Sequence, residues 1–129
     1  PEDELFPACR QHDVAVIARV PFDEGSLTDT LTPESKWGEG DWRNIYFSPE
    51  KLAATLERVK RVRRDLPQGL TMPEMALRFI LSNPDISTVI PGMRKNHHVQ
   101  SNIACSEAGP LPPGLIKELK KHRWDRVKL

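Results

Sequence analysis

The chain has 129 residues, 38% hydrophobic and 29% charged with 12 prolines, the size and balance of one domain with a single small core. Lys and Arg number 19 against 18 Asp and Glu, a formal net charge of +1, which leaves no basic surplus to grip a phosphate backbone and disfavours a nucleic-acid partner. No apolar run approaches the roughly 20 residues of a membrane-spanning helix, and Pro1-Glu2-Asp3-Glu4 is acidic where a signal peptide is basic, so the expectation is a soluble, cytoplasmic protein with no membrane partner.

Glu4 to Asp13 carries Leu5, Phe6, Ala8 and Cys9 among polar residues, the stripe of a short helix. Val14-Ala15-Val16-Ile17-Ala18 then runs apolar without alternation, the pattern of a parallel strand buried on both faces. This strand is placed near 14–20 and ended by Pro21, which has no N–H to give a central ladder. A long loop over 21–47 follows, with Gly25, Gly38, Gly40, Trp37 and Trp42, and loops of that length in compact domains tend to serve as lids or binding loops. The segment from Trp37 to Tyr46 is accordingly expected to be mobile, with Trp37 and Trp42 as candidate substrate contacts; a tryptophan that pins the loop is the alternative.

Ser48, Pro49 and Glu50 form a helix start, and Leu52, Leu56, Val59 and Leu66 keep its spacing, predicting a helix over 49–66 with one buried face. Its basic run from Arg58 to Arg64 reads as the solvated side. Pro67-Gln68-Gly69 breaks the chain, and Thr71 with Glu74 predicts a capping box opening a helix over 72–82. A second strand is expected near 86–90, ended by Pro91-Gly92, then a helix over 95–105. Gly109-Pro110-Leu111-Pro112-Pro113 is a stiff connector to a terminal amphipathic helix over 113–123. Cys9 and Cys105 are too few for a disulfide framework and wrongly spaced for zinc, so both are expected as free thiols, with a single long-range disulfide as the alternative.

Strands alternating with helices imply right-handed parallel βα units. Two parallel strands with apolar residues on both faces need neighbours on either side. With a first residue other than Met, the chain is therefore expected to be part of a larger α/β domain. In such folds ligands bind at the C-terminal ends of the strands. Pro91-Gly92, the cations Arg94 and Lys95 and a helix start suit a phosphate there; a plain turn with a solvated arginine is the alternative. The segment Pro21 to Thr28 offers backbone amides around Gly25, although Asp23 and Glu24 oppose an anion beside their side chains.

The segment Val16-Ile17-Ala18-Arg19-Val20-Pro21-Phe22-Asp23-Glu24-Gly25-Ser26-Leu27-Thr28 resembles the seventh-strand region of aldo-keto reductases. Ala76 to Leu81, Ser87-Thr88-Val89-Ile90-Pro91-Gly92-Met93-Arg94 and Asn102 are similar to the same family's last helix, eighth strand and cofactor loop. The resemblance covers nearly the whole chain and implies the C-terminal part of a (β/α)8 TIM barrel that binds NADP(H) and interconverts carbonyls and alcohols by hydride transfer. It implies that Val20, Pro21, Phe22, Asp23, Gly25 and Leu27 lie along the pyrophosphate. By the same resemblance Arg94 takes the adenosine 2′-phosphate, Gly92 and Met93 approach with backbone, and His98, Ser101 and Asn102 face the adenine. Arg19 stands where many members carry an aromatic residue on the nicotinamide, and His98 and Ser101 where Gln and Glu are common. The family's catalytic Asp, Tyr, Lys and His come from early strands, and none of those motifs occurs here, so no catalytic residue is nominated. Tyr46 sits before a helix cap rather than at a strand end. His97 and His98 point about 100° apart on a helix, a poor metal pair, and no metal is expected. The chain alone is expected to be inactive, its partners being the upstream barrel segments and a small carbonyl substrate. A non-catalytic nucleotide-binding or interaction half-barrel is the alternative.

Overall fold

A computed structural model of the chain describes residues 1–124; the last residues of the predicted domain and the charged end of the chain, 125–129, lie outside the described residues. The order is α1 (Leu5–Gln11), β1 (Ile17–Arg19), a 3-10 turn (Asp23–Thr28), α2 (Arg43–Tyr46), α3 (Pro49–Arg63), α4 (Met72–Leu81), β2 (Thr88–Ile90), α5 (Asn96–Glu107) and α6 (Pro113–Lys120). No helix among the described residues is long and apolar enough to cross a membrane.

Local chemistry accounts for the helix starts. Ser48 accepts the Lys51 N–H and Pro49 opens α3, while the Thr71 hydroxyl accepts the Glu74 N–H at 3.3 Å. The predicted capping box is only half built, because the Glu74 carboxylate takes a 3.0 Å bond from Arg78 one turn on. The helices also end differently from expectation. α3 stops at Arg63 rather than 66 as Arg64, Asp65 and Leu66 fall into three-residue bonds, and α6 stops at Lys120 rather than 123 for the same reason. α5 runs two residues past its predicted end, to Glu107.

β1 and β2 pair in parallel, Ile17 opposite Thr88, Ala18 opposite Val89 and Arg19 opposite Ile90. The paired stretch is shorter than the predicted strands. Ile86 is held in a turn by its N–H on the Asn83 carbonyl, and Val16 ends the ladder by accepting the Ser87 and Thr88 N–H groups. Arg10 clamps Asp85 with two bonds of 2.8 and 3.0 Å, tying α1 to the approach of β2. The strands are not buried on both faces, as their composition predicts. Ala18 and Val89 are half-buried on the side where α4 packs, whereas Ile17 is 58% and Ile90 53% exposed. The reason is that each strand pairs only with the other, and no described element covers the second face.

The core lies instead between helices. Val59 and Val62 of α3, Met72 and Met75 of α4, Leu111 of the connector and Leu119 of α6 form one buried cluster, with Leu27, Phe79 and Trp124 packed on it. The basic run of α3 is not merely solvated, since Arg58 lies 5.4 Å from the Trp124 ring and Arg63 pairs with Asp29. Two polar contacts fix the connector before α6. Arg78 donates to the Gly109 carbonyl at 3.0 Å, and Ser82 Oγ accepts the N–H of buried Leu111 at 2.8 Å while donating to the Arg78 carbonyl at 2.6 Å. Ser82→Ala is expected to cost about 1–3 kcal/mol in urea unfolding, because it strands the Leu111 N–H away from water. A loss below a few tenths would mean that water replaces the hydroxyl.

Candidate functional site

The parallel register sets Arg19 against Ile90, so the segments that follow both strands leave the same end of the sheet. Between them lies a cleft of about 370 Å³, lined by Arg19, Val20, Pro21, Phe22, Glu24, Gly25, Ile90 and Gly92. Its volume is at the small end for ligand pockets, enough for part of a dinucleotide.

The first wall is a chain reversal with unusual backbone. Val20 has φ of 55°, rare for a β-branched residue, and Asp23, Glu24 and Gly25 follow at 49°, 57° and 100°. Left-handed conformations in non-glycine residues persist where surrounding contacts hold them, and they gather at binding sites. Here the Asp23 N–H bonds the Val20 carbonyl, and the Gly25 and Leu27 N–H groups share the Phe22 carbonyl. Two of the six residues expected along the pyrophosphate point elsewhere. The Asp23 carboxylate turns inward to accept from Ser26 Oγ at 2.6 Å, with Ser26 only 2% exposed, and Leu27 packs on the helical core. Val20, Pro21, Phe22 and Gly25 do line the cleft.

The second wall is the loop after β2. Gly92 lines the cleft, and no atom lies within 4 Å of where a Cβ on it would stand. Met93, Arg94 and Lys95 are exposed, and the sequence holds no carboxylate between Gly92 and Cys105. Asn102 Nδ2 donates to the Gly92 carbonyl at 3.3 Å, so one face of α5 is laid against this loop. Ser101 bonds back to the His97 carbonyl at 2.8 Å. The His97 and His98 rings meet edge to face with centroids 4.3 Å apart. Burial holds His98 below the usual imidazole range, helped by His97, Lys95 and Arg94 nearby.

Neither tryptophan proposed for substrate lines this cleft. Trp37 stacks on buried Phe47 at 5.4 Å, and Arg43 lies 5.5 Å from its ring. The Asp41 carboxylate accepts the Arg43 backbone N–H and its guanidinium at 2.9, 3.0 and 2.6 Å, and those bonds lower its pKa to about 2. Trp37 therefore pins its loop; Trp42, half exposed, rests edge-on against Tyr46. Cys9 and Cys105 are both free. Among the described residues no group of three or more His, Cys, Asp or Glu could hold a metal. Arg19, set by resemblance at the nicotinamide position, and Glu24, expected to oppose an anion, also line the cleft, and so does Ile90, to which the sequence assigns no site role. The signal for Ile90 is position alone: the last strand residue and its register partner Arg19 stand at the ligand end of a parallel pair.

A family model for the aldo/keto reductase family matches residues 1–123. The chain belongs to that family. It is 30% identical over 120 residues to the uncharacterized oxidoreductase YqkF of Bacillus subtilis, covering 93% of this chain and 38% of the relative. It is also 26% identical over 104 residues to the NADH-specific methylglyoxal reductase of Escherichia coli, covering 80% of this chain and 32% of that protein. Among solved structures, the holo form of aldo-keto reductase AKR11C1 from Bacillus halodurans superposes with a TM-score of 0.70 at 25% identity, over 98% of this chain and 39% of that one. The chain thus spans less than two fifths of the length of each of these proteins, and its parallel βα arrangement is that of the aldo-keto reductase barrel.

Proposed function

We propose that this chain is the C-terminal portion of a cytoplasmic, NADP(H)-dependent aldo-keto reductase, forming the pyrophosphate and the 2′-phosphate and adenine sides of the cofactor site. The observation that carries the reading is the cleft itself, where the loops after two register-paired parallel strands meet around Gly25 and Gly92. The residues fit a dinucleotide. Glycine at both walls lets backbone approach a ligand closely, and Arg94 and Lys95 offer charge to a phosphate with no carboxylate nearby in the loop or the first turns of α5. Glu24 repels an anion from the first wall, so pyrophosphate contacts there fall to backbone amides rather than side chains. Preference for NADP over NAD rests on Arg94 and Lys95, since the Escherichia coli relative is named as NADH-specific.

When bound, the nicotinamide supplies or accepts the hydride that interconverts an aldehyde or ketone and its alcohol. This chain's part is to hold the dinucleotide; the proton for the carbonyl oxygen comes from strands supplied by the rest of the barrel. On its own the chain is inactive. The test is nucleotide titration of the complete barrel by fluorescence, together with loss of nicotinamide absorbance on adding small aldehydes and ketones. Saturable NADPH binding and turnover of at least one carbonyl are expected. Binding of neither NADPH nor NADH would overturn the reading.

A further inference from the structure

The loop before α5 and its first turn hold four basic side chains within five residues, Arg94, Lys95, His97 and His98. Two of them are imidazoles, the side chains whose charge changes near neutral pH. His98 and Asn102 are one helical turn apart and both half-buried, while His97 and Ser101 are exposed. Because Asn102 bonds the Gly92 carbonyl, the face that carries His98 is the one laid against the cleft loop.

We propose that His98, with His97 packed across its ring, takes up a proton when a dinucleotide bearing a ribose 2′-phosphate binds, so that discrimination against the unphosphorylated dinucleotide grows as pH falls. This rests on the cofactor reading above and goes beyond it by making the preference pH-dependent. In the free protein His98 is surrounded by its own kind. The charged groups that act on it are His97, Lys95 and Arg94, and together with burial they favour the neutral ring. From α4, packed against α5, Glu74 and Arg78 pair with each other at 3.0 Å and act on Cys105, two turns further along. Arg19 and Glu24 line the cleft beyond Gly92. A phosphate dianion set among the four basic groups reverses the balance, since an opposite charge within a few ångströms favours the protonated imidazole. The sign follows by linkage: a group whose pKa rises on binding makes the complex tighter as pH falls through the bound-state value. The phosphate works the other way, because it must shed its own last proton, with pKa near 6, to become the dianion. The two contributions therefore have opposite slopes.

The experiment measures dissociation constants of NADPH and NADH for the complete barrel between about pH 8 and about pH 6.5, in the wild type and in His98→Gln and His97→Gln. Glutamine keeps the size and hydrogen bonding of the ring without its charge. Far-UV circular dichroism and urea unfolding report whether the variants are folded, and NADH, which lacks the 2′-phosphate, is expected to show no pH slope in any of the three proteins. In the wild type NADPH is expected to tighten on the order of three- to tenfold as pH falls across that range, and His98→Gln to lose that tightening and keep only the shallow opposite slope of the phosphate. A slope in His98→Gln equal to that of the wild type would overturn the proposal while leaving NADPH binding intact. Equal affinity for NADPH and NADH at every pH would overturn the 2′-phosphate assignment as well.

Discussion

Replacing Arg94 with alanine in the complete barrel is expected to weaken NADPH binding roughly ten- to a hundredfold and to leave NADH within about twofold, because hydrogen bonds to charged groups contribute about 1.5–3 kcal/mol. Arg94 is exposed, in a loop with no carboxylate to compete for it, and solvent screening places the effect toward the lower end of that range. The guanidinium presents a planar fork that can hold two phosphate oxygens at once, and the ribose hydroxyl of NADH offers neither the charge nor the geometry. Arg94→Lys should recover part of the loss as a point charge, and raising salt should shrink the gap between wild type and Arg94→Ala. Unchanged constants for both nucleotides would remove Arg94 from the site and pass the phosphate to Lys95 or to backbone amides.

Much of the architecture was legible because it is written in local chemistry. Ser48 and Thr71 mark helix starts by hydrogen bonds made within four residues, and Val14 to Ala18 and Ile86 to Ile90 mark parallel strands by β-branched apolar runs. Long-range partners were not legible. Nothing near Asp23 in sequence says whether its carboxylate faces a ligand or the hydroxyl of Ser26, and only the left-handed backbone at residues 23–25 decides it. Gly25 signals such a turn in the sequence; Val20, equally left-handed, is a β-branched residue that ordinarily argues for strand. Trp37 and Trp42 look alike in a glycine-containing loop, yet Phe47 is placed to stack on one and not the other. Nothing in the helix around Arg78 signals that it holds the connector carbonyl of Gly109 from thirty-one positions away. In each case the deciding contact is tertiary and carries no periodicity.

The open face of the two-stranded sheet yields the second large effect. Ile17 and Ile90 point away from α4 and stand more than half exposed, although a central parallel strand is covered on both sides in a finished barrel. If neighbouring strands close over that face, each isoleucine gains about 1.5–3 kcal/mol of burial that the described residues do not provide. Ile17→Lys or Ile90→Lys should then destabilise the complete barrel by about 3–5 kcal/mol in urea unfolding, since a charge replaces packed hydrocarbon and finds no partner. In the 129-residue segment the same substitutions should fall within about 0.5 kcal/mol, as surface changes do. The segment should also self-associate and bind an apolar dye through this face, and both lysine variants should reduce that binding. A large cost in the segment alone would mean that its own residues already cover the face. A small cost in the complete barrel would mean that no strand packs there, and the half-barrel reading would fail with it.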